Sequence, residues 1–122
     1  MNEIAIIDDS KLVLTALSKI LKNHGFYVRS YNSLQELYQA KVLAHIDAVI
    51  VDYWLENNSG IELIHYLNKL EPPKKNIKQV ILSGSDLSQV NIPESVDLII
   101  QKPWGDENFI ENLKQLLRKE TK

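Results

Sequence analysis

A short apolar run followed by a helix-spaced apolar stripe recurs five times along this chain, and that alternation restricts the fold more than any other feature. The runs are Ile4 to Ile7, Phe26 to Tyr31, Asp47 to Asp52, Ile77 to Leu82 and Val96 to Gln101. Near-continuous apolar runs of this length predict strands covered on both faces. Phe26 to Tyr31 carries Arg29 and is less uniformly apolar, which places it at a sheet edge.

The segments between the runs carry helix signals. Asp9 or Ser10 caps a helix with Val13, Leu17, Ile20 and Leu21 on one face, and Gly25 ends it. Ser33 to Glu36 is a capping box that opens a helix running to about Ala44. Ser59 to Glu62 is a second box, followed by the stripe Leu63, Leu67 and Leu70 and a stop at Pro72-Pro73. Asp106 caps a last helix whose inner face is Phe109, Leu113, Leu116 and Leu117. Ser85 to Ser95 is the weak link. Asp86 can cap a turn or two, but Pro93 limits the segment to a short or irregular fourth helix.

This pattern implies an α/β fold: a doubly wound, five-stranded parallel sheet with helices on both faces and right-handed crossovers. The strand order 2-1-3-4-5 is adopted from precedent for such sheets. Ligands then bind outside the carboxyl ends of the strands, where the order reverses. A length of 122 residues suits one domain, taken as residues 1–122. With a net charge of -2 there is no basic field for nucleic acid, and direct nucleic-acid binding is not expected. The absence of cysteine excludes disulfides and thiolate chemistry. No apolar run is long enough to cross a membrane and no signal-peptide pattern follows Met1, so a cytoplasmic location is expected.

The strand ends carry the chemistry. Strand one ends at Asp8 and Asp9, strand three at Asp52, strand four at Ser83 and strand five at Lys102. A carboxylate at the end of a buried strand is costly unless compensated. Three carboxylates in one crevice require cations. Lys102 is one, and an all-oxygen donor set suits Mg²⁺ better than zinc or copper. Carboxylates serve as nucleophiles in aspartyl-phosphate chemistry, and phosphoryl transfer needs mainly positioning and charge neutralisation. Asp47, by contrast, reads as an ordinary loop cap, and His24, His45 and His65 lie away from the strand ends.

With these residues the whole chain resembles the receiver domain of bacterial two-component response regulators, a flavodoxin-like (βα)5 fold. Asp8-Asp9 matches the family's metal-binding pair, Asp52 its phosphorylated aspartate, Gly60 the glycine opening the third helix, Ser83 its phosphoryl-binding hydroxyl, and Lys102-Pro103 its Lys-Pro pair. The resemblance implies that Asp52 takes a phosphoryl group from a sensor histidine kinase or phosphotransfer protein. It implies Mg²⁺ held by Asp9, Asp52 and the backbone carbonyl of Trp54, with Asp8 acting through water. Lys102 pairs with Asp52 before transfer and with the phosphoryl group after it. Ser83 then turns to that group, and the switched domain signals to a downstream effector domain or protein. Apart from its own phosphorylation and dephosphorylation, such a domain is not an enzyme.

Several positions depart from the family. The switch position three residues before Lys102 is usually aromatic and is Ile99 here. The span from Ser83 to Lys102 is shorter than usual, so the family's standard dimer interface is not carried over. Glu56 stands where proline is common, which makes the loop after Asp52 more polar. Trp54 lies at the mouth of the site, and two readings stay open: it shields the acyl phosphate, or it packs over Tyr53 or the Ser85 loop. Trp104 is read as a packing residue. Two other functions remain in play: an interaction module that works without phosphorylation, and a small Mg²⁺ phosphohydrolase. The phosphohydrolase lacks its usual second aspartate, because that position is Trp54. The final residues, Leu117 to Lys122, fit either a stand-alone regulator or the edge of a longer protein.

Overall fold

The computed structural model describes residues 2–70, 76–102 and 108–118. Pro72-Pro73, Pro103, Trp104 and Asp106 lie outside them. Five strands form one parallel sheet in the order β2-β1-β3-β4-β5. They are β1 (Glu3–Ile7), β2 (Tyr27–Tyr31), β3 (Ala48–Asp52), β4 (Lys78–Ser83) and β5 (Leu98–Gln101). The described helices are α1 (Lys11–Asn23), α2 (Leu34–Ala40), α3 (Gly60–Asn68) and α4 (Asn108–Arg118), with a 3₁₀ turn at Leu43–His45. None is long and apolar enough to cross a membrane.

The continuous apolar strands divide their side chains between two cores, as a sheet covered on both faces must. Ile4, Ile6, Ile50, Val80 and Leu82 pack with Leu14, Leu17 and Leu21 of α1 and Leu113 and Leu117 of α4. Ala5, Ile7, Val49, Val51 and Ile81 pack with Leu34 and Leu37 of α2 and Leu63, Ile64 and Leu67 of α3. Every residue of β3 is buried, and β2 is the exposed edge that its composition predicts.

Local chemistry sets the element ends. Ser10 caps α1 by accepting the Val13 N–H, and Gly25 follows the helix at φ 91°, a conformation natural only to glycine. Ser33 caps α2 through the Glu36 N–H, while Glu36 reaches back to the Asn32 N–H. That helix stops at Ala40 rather than Ala44, because Lys41 adopts the left-handed conformation and terminates it. Asp47 is the cap expected of it, accepting the Glu3 N–H at 2.7 Å.

The main correction falls between β4 and β5. No helix forms there, neither short nor irregular; residues 84–97 are bends, turns and chain without regular structure. Asp86 accepts the N–H of Ser88 at 2.9 Å, a two-residue turn that competes with helix capping. Val96 closes a turn on the Pro93 carbonyl, which delays the start of β5 to Leu98. Ile99 shares the sheet face of its register partner Ile81, and with no helix over it, it is 46% exposed.

Candidate functional site

Strand register brings the strand-end residues together. Ile7 pairs with Val51, so Asp8 and Asp52 leave adjacent strands at the same level. Asp52 pairs with Leu82, and Ser83 with Gln101. The Lys102 N–H then donates to the Ser83 carbonyl at 2.7 Å, fixing the lysine's backbone beside β4.

Lys102 Nζ stands 3.1 Å from Asp8 Oδ2 and 3.2 Å from Asp52 Oδ2. It hydrogen-bonds to Asp52 and forms an ion pair with the buried Asp8 Oδ2. The other Asp8 oxygen accepts the Ser10 N–H at 2.9 Å. Asp9 is exposed, and one carboxylate oxygen each from Asp8, Asp9 and Asp52 lie within 4.8 Å of one another. Three converging carboxylates, two of them sharing one lysine, fit a hard divalent cation.

The electrostatics agree. Burial pushes the Asp52 carboxyl above its ordinary value, and the Asp8 charge pushes it further; Lys102 and the Trp54 N–H only partly offset this. For Lys102, burial works downward, but contact with Asp8 and the charges of Asp52 and Asp8 outweigh it and leave the ammonium more basic than usual. The lysine is therefore charged, and it under-compensates the carboxylates around it.

Gly60 explains itself here. A Cβ at this position would collide with the Asp52 carbonyl, while the Gly60 N–H donates to the Tyr53 carbonyl at 2.8 Å. The start of α3 thus rests directly on the backbone of the candidate nucleophile. The Leu55 N–H and Asn58 carbonyl close the intervening loop, and Glu56, Asn57 and Asn58 line a polar hollow of about 150 Å³ that Asp9 shares. Trp54 is 61% exposed, with its ring edge-on to Tyr53 at 5.0 Å. Its N–H points to Asp52 Oδ1 at 3.4 Å.

Ser83 is buried, and its hydroxyl is engaged by Ser85. Its hydroxyl donates to the Ser85 carbonyl at 2.9 Å and accepts the Ser85 N–H at 3.1 Å. Sequence reading placed Ser83 at the site but gave no sign of this local closure. The backbone partners of Asp8 and Asp52, the N–H groups of Ser10 and Trp54, were also missed; only the two-residue spacing could have suggested them.

Comparison with known proteins points one way. The family model described as "response regulator receiver domain" matches residues 4–114. The transcriptional regulatory protein CpxR homolog of Haemophilus influenzae is 26% identical over 98% of this chain and 52% of its own length. The chain spans about half the length of the curated relatives it matches. Among solved structures, the CheY-like receiver domain from Methylobacillus flagellatus has TM-score 0.80 at 24% identity, covering 96% of this chain and 98% of that one. TrrA of Thermotoga maritima, solved with Mg²⁺ and a beryllium fluoride, has TM-score 0.82 at 21% identity, covering 95% and 99%. At these identities the two structures speak for the fold.

Proposed function

The chain belongs to the response regulator receiver domain family, and from that premise we propose that Asp52 accepts a phosphoryl group from a phosphohistidine of a sensor histidine kinase or phosphotransfer protein. The observation that carries the proposal is the lysine-bridged pair: Asp52, buried and raised in pKa, shares Lys102 with Asp8 while Asp9 completes a cation-ready cluster. A carboxylate oxygen of Asp52 attacks phosphorus as the donor's P–N bond breaks, and the imidazole leaves with a proton from solvent. Lys102 follows the charge from the carboxylate to the phosphoryl oxygens. Ser83 exchanges its bond to the Ser85 carbonyl for one to the phosphoryl group.

Asp9, Asp52 and the backbone carbonyl of Trp54 would hold Mg²⁺, with Asp8 acting through water; bound there, the ion neutralises the carboxylates and the phosphoryl oxygens. The Mg²⁺ and beryllium fluoride in TrrA support this reading by analogy. The domain turns over no separate small molecule, and its signal passes to a downstream effector domain or protein in the cytoplasm. The curated relatives are named as regulators, which supports that output.

Incubation with Mg²⁺ and acetyl phosphate, read by intact mass, tests the proposal. A phosphoryl adduct lost in Asp52→Asn and without Mg²⁺ is expected. Absence of an adduct from both acetyl phosphate and a cognate kinase would reject it in favour of an interaction module that works unphosphorylated. Exposed Ile99 and the helix-free β4–β5 connection are what favour that second reading.

A further inference from the structure

β2 pairs with β1 on one side and leaves its other side open. All five of its residues are in register with β1, without a bulge, and the strand contains no proline. The Tyr27 N–H and the Tyr31 carbonyl both turn toward β1. Backbone groups alternate sides along a strand, so the N–H and C=O groups of Val28 and Ser30 turn to the open edge. Among the described residues, no strand pairs with them there. Such edges are usually blunted by charge, proline or a bulge. Here the one charge on the strand, Arg29, is neutralised by Glu3 at 3.0 Å.

The α1 side of this edge is basic. α1 carries Lys11, Lys19 and Lys22 and no acid in 13 residues, in a chain whose acids outnumber its lysines and arginines 16 to 14. The three lysines are exposed, and among the described residues none meets a carboxylate. With Thr15, Ser18 and Ser30 they line a furrow of about 510 Å³ between α1 and the edge of β2. A second hollow, of about 710 Å³, continues it past Lys22 to Tyr27 and Arg29. Val28 packs with the core on the α1 side and Tyr31 with the core on the other, so Ser30 shares the basic face and Tyr27 the opposite one. Tyr27 is 58% exposed.

We propose that the open edge of β2 receives an extended acidic segment of a partner protein as a sixth strand. Its backbone pairs with Val28 and Ser30, and every second side chain is a carboxylate that meets the lysines of α1. From Lys11 to Lys22 the helix advances about 16 Å. Acids at i, i+2 and i+4 of a strand span about 13 Å, which matches that row. The side chains between them fall beside Tyr27 and Tyr31, where β-branched or aromatic residues pack well. Charge also decides against a second copy of this chain. Two β2 edges paired antiparallel would set their α1 helices on the same face, with lysine row against lysine row. The lysines that repel a copy attract a segment of opposite charge. This surface uses none of the strand-end residues, so the proposal does not depend on phosphorylation.

A labelled heptapeptide alternating glutamate with valine and threonine, titrated with the whole chain and read by fluorescence anisotropy, tests it. Saturable binding is expected, with added protection of the Val28 and Ser30 amides from hydrogen exchange. A peptide of the same composition with its glutamates grouped at one end should bind about tenfold more weakly. The double variant Lys19→Glu, Lys22→Glu should lose about tenfold in affinity for the alternating peptide and gain affinity for a version with lysine in place of glutamate. Ser30→Pro, which removes an edge donor, should abolish binding; the lysine variant, changed only at exposed helix positions, keeps the test decisive where the proline disturbs the strand. No saturable binding, equal binding of the grouped peptide, or binding that leaves the Val28 and Ser30 amides unprotected overturns the proposal. So does a dimer of the free chain in sedimentation velocity that Ser30→Pro dissociates, because the edge would then belong to a second copy.

Discussion

Asp52→Asn is expected to stabilise the metal-free protein, although it removes a partner of Lys102. The competing terms are of similar size. At a separation of no more than 4.8 Å and an effective dielectric of about 20, two like charges repel by about 3.5 kcal/mol or more. The Lys102–Asp52 contact at 3.2 Å attracts by about 5 kcal/mol on the same scale. Repulsion from Asp8 and a solvent-screened contribution from Asp9 nearly cancel that attraction. Burial then decides the sign, because an ionised Asp52 at 6% exposure loses hydration that a neutral amide does not miss. Burial is also the largest cause of the raised Asp52 pKa. The expected gain is about 1 kcal/mol, or roughly 4 °C in melting temperature for a domain of 122 residues. The pH dependence follows from the direction of the shift. A raised carboxyl contributes stability that is complete below its unfolded value of 3.8 and is lost as pH rises through its folded value. Wild type and variant should therefore melt alike in acid and diverge as pH rises toward neutrality. Adding Mg²⁺ should raise the wild-type melting temperature and close the gap. Melting curves by circular dichroism at several pH values, with EDTA or Mg²⁺, provide the assay. A variant no more stable than wild type at pH 7 in EDTA would show that the Lys102 attraction outweighs burial, and would refute the argument.

Gly60→Ala should destabilise the domain by about 1–3 kcal/mol, because its methyl group meets the Asp52 carbonyl; urea unfolding measures the loss, and adduct formation should slow as Asp52 is displaced. Lys102→Met should cost about 3 kcal/mol by leaving two buried carboxylates without their cation, a loss that urea unfolding at neutral pH would register. Trp54→Asn should leave the half-life of the phosphorylated protein unchanged, since the indole lies against Tyr53 and largely in solvent; a shortened phosphate-release half-life would restore the shielding role.

The strand ends were legible because their pattern is physically expensive. Val49, Ile50 and Val51 are wholly buried, and a chain that runs such a strand into Asp52 must supply compensation nearby. Parallel register then makes the convergence of Asp8, Asp52 and Lys102 almost unavoidable once the strand order is right. Caps were legible for the same local reason: Ser10 and Ser33 act within three residues of themselves. The β4–β5 connection was not, because Asp86 satisfies equally local rules by capping a turn instead of a helix. Nor could Asn68, Gln79 and Ser95 be associated from sequence; they lie 11, 16 and 27 residues apart in pairs, with no period to link them.

That contrast bears on how the site and its readout divide the structure. The candidate site lies where four strands end together, held by sheet register and the close packing of Gly60 on Asp52. The β4–β5 connection next to it has no regular hydrogen-bond ladder of its own. It is tied to the sheet at one end by a hydrogen-bonded ring of Asn68, Gln79 and Ser95 and at the other by a single serine. Local opening starts where few contacts oppose it. Among the described residues, the Ser83 hydroxyl makes its two bonds to Ser85 at the end of β4 nearest Lys102. The hydroxyl of Ser83 ties that connection to the end of β4 through Ser85.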